Sequence, residues 1–181
     1  MKNPLKRFYE QVQITQAGQS YEVSLDGRSL KTPMQRTLHL PTEALAQKIA
    51  DEWSNIETEI NPAHMPIFSL AVTAIDRVSF QKVVLSNEIQ NYIMNDLLCY
   101  RESADKILQE HQNKNWDPWL KWSKKEFDFD LKLTKGVMPI NQDERNAALL
   151  SELISEMSIW YLTCFMKVTT FAGSAVLALA F

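Results

Sequence analysis

Three histidines, two cysteines and two carboxylates in apolar surroundings are the groups in this chain that could do chemistry. His39 lies between Leu38 and Leu40 in a strand pattern, His64 in a proline-rich loop and His111 on a polar helical stretch. None forms H-E-x-x-H or another spacing that brings two ligands together, so no metal site is expected. Cys99 and Cys164 sit among apolar neighbours without C-x-x-C spacing. They read as two buried free thiols in a reducing compartment rather than as a disulfide. No G-x-S-x-G elbow, Walker phosphate loop or G-x-G-x-x-G fingerprint is present, and the chain has only four glycines to supply one. No cofactor is expected. Asp76 and Asp96 stand in apolar helical contexts, where burial shifts a carboxylate pKa. One reading is an enzyme that uses these buried carboxylates. The plainer one is a surface charge or a structural ion pair.

Binding chemistry has a clearer candidate. Trp116, Trp119 and Trp122 fall within seven residues, at a spacing of three that keeps them near one helical face. Tryptophan is favoured in the energetic centres of protein interfaces. The same cluster could instead fill the junction between a helical part and a β part. Trp116, Asp117, Trp119 and Trp122 are the candidate partner-binding residues.

These residues must be carried by a fold. At 181 residues the chain can bury one good core or two small units. Its 45% hydrophobic and 23% charged content is ordinary for a globular protein. A net charge of −3 argues against general nucleic-acid binding. Residues 1–40 carry +3 and the remainder −6, a mild asymmetry. The start, Met1 to Phe8, holds no apolar run of signal-peptide length, so the chain reads as cytoplasmic and bacterial.

The period of the apolar residues changes at Pro41. Before it, Val12 and Ile14 alternate with polar residues, and Tyr21, Val23 and Leu25 do the same up to Asp26-Gly27. An Asp-Gly pair between alternating segments predicts a two-residue type I′ hairpin, with Leu30 opposite Val23. Residues 1–41 are therefore expected to form a small antiparallel β unit. Beyond Pro41, Thr42 is a helix cap for Leu45, Ile49, Trp53 and Ile56, and Pro66 opens a second helix. Ile89, Ile93, Leu97 and Tyr100 mark a third helix, Ile107 and Leu108 a fourth, and Asp117-Pro118 the cap and first turn of another. Residues 128–140 read as a loop with an extended piece at Leu131–Leu133, and 142–181 as helix. The fold class is α+β: a small N-terminal antiparallel β unit followed by an all-helical domain over 42–181. Ile159 to Phe181 is long enough to span a bilayer, which would make this a membrane-anchored protein. Lys167 near its middle and four Ser/Thr favour a buried helix pair instead.

These segments resemble the ATP12-type chaperone family in order and over nearly the whole length. The resemblance rests on Arg7-Phe8-Tyr9, Leu25-Asp26-Gly27-Arg28 with Leu30-Lys31-Thr32-Pro33, and Glu52-Trp53. It continues through Met65-Pro66, Leu70 to Asp76, Asp96 to Arg101, Trp116-Asp117-Pro118 with Trp122, and Thr169 to Ala180. It implies an N-terminal β unit and a C-terminal helical unit. It also implies a non-enzymatic assembly chaperone for the F1 sector of ATP synthase, which binds the unassembled F1 alpha subunit and prevents its aggregation. The compartment would be the bacterial cytoplasm, or the mitochondrial matrix for a mature eukaryotic form. Family chains continue past the helix that here ends at Phe181, so a C-terminally truncated member is expected, with self-association through its last helix.

Overall fold

The computed structural model describes residues 5–181. The expectation that residues 1–8 hold no targeting segment falls partly on Met1 to Pro4, which lie outside the described residues. The chain divides into two compact units, Met1–Phe80 and Gln81–Phe181.

In the first unit, β2 (Val12–Ala17), β3 (Ser20–Leu25) and β4 (Arg28–Ser29) form an antiparallel sheet in that order, and β1 (Leu5–Lys6) pairs with β5 (Glu59–Ile60). Leu25 pairs with Arg28, which leaves Asp26 and Gly27 as the loop, at φ 48° and 77°. That is the predicted type I′ turn, which needs positive φ at both central residues. The Asp26 carboxylate does more than tolerate the turn. It accepts the backbone N–H groups of Glu10 (3.0 Å) and Gln11 (2.8 Å), fixing where β2 begins. Leu30 donates its N–H to the Val23 carbonyl at 2.7 Å, as the predicted register requires. Val23, Leu25, Leu30, Leu38 and Leu40 are buried.

Helix α1 (Glu43–Ser54) packs on β2 and β3 through Ala46, Ile49, Ala50 and Trp53. Thr42 caps it by accepting from the Leu45 N–H. Helix α2 (Pro66–Thr73) opens on Pro66, as expected. The Glu52 carboxylate reaches over from α1 and takes two of its free amides, Ile67 at 2.7 Å and Phe68 at 2.8 Å. A π-helical turn at Ala74–Val78 follows. Within it, the Asp76 carboxylate accepts from the Thr32 hydroxyl at 2.7 Å and the Met34 N–H at 3.2 Å. This holds a tight turn in which Gln35 sits at φ 63°.

The second unit begins in α3 (Ser79–Met94), whose backbone leaves helical geometry at Gln81. Ile89 and Ile93 are buried, as their spacing predicts, and Leu85 one turn earlier is buried with them. The helix does not run on through Leu97 and Tyr100. Asp96 caps a 3-10 turn at Leu97–Cys99 by accepting the Leu98 N–H, and the chain then enters β6 (Tyr100–Arg101). Helix α4 (Lys106–Phe127) is continuous, with Asp105 as its cap and Pro118 inside it. The predicted start at Asp117-Pro118 is thus corrected. Pro118 is exposed, so water can serve the carbonyl its ring leaves free, and Asp117 is engaged in an ion pair instead of capping. The extended piece expected at 131–133 lies at β7 (Thr134–Lys135), parallel to β6. Helices α5 (Glu144–Glu156), α6 (Ile159–Ala172) and α7 (Ala175–Ala180) complete the unit. The architecture is the expected α+β class, with small antiparallel sheets first and helices after.

Residues 159–181 are two helices, broken at Gly173, which adopts φ 65°. No helix among the described residues is long and apolar enough to cross a membrane. Val176 and Ala178 are buried, Leu177 and Leu179 half-buried and Phe181 exposed. Cys99 is buried and free, but Cys164, expected inside, is exposed. The inner face of α6 is taken by Leu162, Phe165 and Thr169, which leaves Cys164 on the outer face.

The joint between α6 and α7 is held by Asp96. Its carboxylate is fully buried. It accepts from the Ser174 hydroxyl (2.9 Å) and the Val176 N–H (3.1 Å), besides Leu98 N–H (3.0 Å). Ser174 Oγ in turn accepts from the Leu177 N–H, so one carboxylate organises the first turn of α7. Burial raises the Asp96 pKa above its ordinary value, against the lowering effect of these donors.

Two outcomes are expected. Gly27→Val should cost about 1–2 kcal/mol, because a β-branched residue is strained at positive φ, whereas Gly27→Asn should cost only a fraction of that. A Cβ at Gly27 would meet open space, so the loss is mainly backbone strain, and urea midpoints measure it. Asp96→Ala should cost about 3 kcal/mol by stranding buried donors. A raised native pKa means that the Asp96 contribution is full below its unfolded value and is lost as pH rises through its native value. The stability advantage of the wild type over Asp96→Asn should therefore shrink as pH rises above the ordinary aspartate value, read from Tm.

Candidate functional site

The four predicted residues all lie on α4, and the structure separates them into two environments. Trp116 and Asp117 face Arg101, the last residue of β6. The Arg101 side chain is almost fully buried, and its Nη2 donates to Asp117 Oδ1 at 2.6 Å. Its guanidinium carbon lies 5.1 Å from the centre of the Trp116 ring, a cation–π distance. Its Nε and Nη1 find no partner among the described residues. The ion pair with Asp117 is thus the main electrostatic compensation for a charge taken out of water.

Trp119 and Trp122 belong to an aromatic run. Their rings meet edge to face at 6.3 Å, Trp122 meets Phe127 at 5.3 Å, and Phe127 meets Phe129 at 5.7 Å. Burial grades along the run, from Trp119 at 41% exposed to Phe129 at 1%. An aromatic ladder anchored in the core at one end and open to water at the other is rigid and costs little side-chain entropy on binding. Beside it, Asp117, Leu120, Lys124, Phe129, Leu131 and Leu133 line a shallow groove of about 360 Å³. Asp128 closes α4 in a left-handed conformation. Lys124 hydrogen-bonds its carboxylate at 2.8 Å and Arg145 pairs with it, and together they hold its pKa below the usual carboxylate value.

Asp76 and Asp96 are each occupied by hydroxyl and amide donors, and each serves the backbone of its own unit. His39 is exposed and lies 3.1 Å from Glu22, while His64 and His111 are exposed. Among the described residues, no three His, Cys, Asp or Glu are placed to hold a metal ion. Sequence reasoning missed Arg101. Its only signal was its place at the end of the Asp96 to Arg101 motif, since nothing local says that an arginine will be buried.

Comparison with known proteins places this geometry. A sequence model described as ATP12 chaperone protein matches residues 6–124. The crystal structure of Atp12 from Paracoccus denitrificans superposes with a TM-score of 0.91 at 35% identity, covering 97% of this chain and 76% of that one. The Atu1473 protein of Agrobacterium tumefaciens superposes at 0.89 with 32% identity, over 97% of this chain and 66% of the other. The mitochondrial protein atp12 of Schizosaccharomyces pombe is 28% identical over 158 residues, 80% of this chain. This chain spans about half the length of that relative, 54%.

Removing each half of the buried pair should have unequal effects. Asp117→Ala strands a buried guanidinium and should cost about 2 kcal/mol, allowing for the partial exposure of Asp117. Arg101→Met leaves Asp117 free to hydrate and should be close to neutral. Urea unfolding of the two variants checks the order, and a larger loss for Arg101→Met would show that the pair is not the dominant contact.

Proposed function

The chain belongs to the ATP12 chaperone family, and from that premise we propose that it is an assembly chaperone for the F1 sector of ATP synthase. In this reading it binds the unassembled alpha subunit and keeps it from aggregating, acting by occupancy rather than catalysis, in the compartment where the enzyme is built. The observation that carries the reading is the family match over residues 6–124, together with the superposition on Paracoccus denitrificans Atp12 over 97% of the chain.

The physical logic is that of a temporary cover. A subunit awaiting its neighbours exposes the surface that assembly will bury, and such surface aggregates. A chaperone must cover it tightly enough to compete with aggregation and loosely enough to be displaced. The half-exposed end of the α4 aromatic run suits that task. Trp119 offers a large, preorganised contact, held edge to face against Trp122.

Co-expression with an isolated F1 alpha subunit should raise the soluble fraction of that subunit and yield a complex that co-purifies. Trp119→Ala should weaken this complex by about tenfold or more, the scale of an interface hot spot, while leaving Tm nearly unchanged. Trp122→Ala, closer to the core end of the ladder, should lower Tm as well. An alpha subunit that stays insoluble beside well-folded chaperone would refute the reading.

A further inference from the structure

The sheet of the first unit has one long open edge. β3 is its middle strand, and its far side is turned to Leu40, Leu30 and Arg28. Tyr21 exchanges backbone hydrogen bonds with Leu40 at 2.9 and 2.8 Å, and the Val23 carbonyl accepts from Leu30. Peptide groups spent on that side are not available to β2. Gln16, opposite Tyr21, and Ile14, opposite Val23, are therefore non-hydrogen-bonded positions of the β2–β3 ladder. Their N–H and C=O groups point outward, away from the sheet, and by alternation so do those of Val12. Among the described residues no strand covers this edge, because β2 ends the sheet order.

Proteins usually blunt such an edge with Lys, Pro or a bulge. β2 has none of these. It reads Val12-Gln13-Ile14-Thr15-Gln16-Ala17, without charge, and its register with β3 runs unbroken over all six residues. Its side chains are also sorted. Val12 and Ile14 are half-buried on the face that carries Leu25 and Val23, whereas Gln13 and Thr15 are exposed on the other face. A strand laid along this edge would set apolar side chains beside Val12 and Ile14, extending the core face, and polar ones beside Gln13 and Thr15.

We propose that the outer edge of β2 captures an extended, uncharged segment of the client as an added strand of the sheet. The proposal rests on the reading of the protein as a chaperone for an unassembled ATP synthase subunit. The occupant follows from the chemistry of the edge. A row of outward N–H and C=O groups at alternate residues is matched in full only by another extended backbone. Main-chain pairing supplies affinity with little demand on sequence, and a partner strand from the assembling enzyme can displace it group by group.

The test uses the full chain and the isolated F1 alpha subunit. Amide hydrogen exchange at Ile14 and Gln16 should slow by about tenfold or more when the alpha subunit is added, as expected for amides that gain a backbone acceptor. Gln16→Pro removes an outward N–H and an exposed side chain without touching the β2–β3 ladder. It should weaken binding by about tenfold, the worth of a lost main-chain bond. Thr15→Ala, which alters a side chain and leaves the edge intact, should bind as the wild type does. If Gln16→Pro does not fold, the exchange measurement on the wild type decides. A complex that forms without protection at Ile14 and Gln16 overturns the edge proposal and leaves the chaperone reading standing. Protection that grows with protein concentration in the absence of client makes a second copy the occupant and also overturns it. If no complex forms at all, the chaperone reading fails and the edge proposal with it.

Discussion

A carboxylate that accepts backbone amides across a long sequence separation is the interaction on which this structure depends. Asp96 does it in the second unit, where one buried side chain ties the end of α3 to the start of α7. The Leu97 N–H, which donates to the Gly173 carbonyl at 3.0 Å, doubles the joint. Burying a charge is costly unless it is hydrogen-bonded, so the site is stable only when all its donors are in place. That requirement fixes the register of α7 more firmly than the packing of its small side chains could.

The first unit repeats the device at smaller scale. Asp26 holds the start of β2, Glu52 caps α2 and Asp76 closes the turn at Thr32 to Arg36. Around Trp53 the anchoring is aromatic as well. The Tyr9 hydroxyl donates to the Trp53 carbonyl at 2.6 Å, and Arg7 donates to the Ile56 carbonyl. Nearly every motif that marks the family resemblance thus lands on a residue that clamps backbone or fills the core. The half-exposed Trp119 and the outer edge of β2 lie outside those motifs.

The sequence by itself determined the local elements. Asp26-Gly27 set the hairpin because few residues tolerate two positive φ values in succession. Thr42 and Pro66 set two helix starts, and the change from period 2 to period 3.6 at Pro41 set the α+β class. The motif order also identified the family. The tertiary structure decided what depended on distant partners. It ended α3 at Met94 through the Asp96 cap, carried α4 through Pro118, and turned Cys164 outward because Leu162 and Phe165 claimed the inner face. It buried Arg101 beneath Trp116 and left the edge of β2 open. Each of these is settled by which groups meet across tens of residues, and a local pattern carries no record of that meeting.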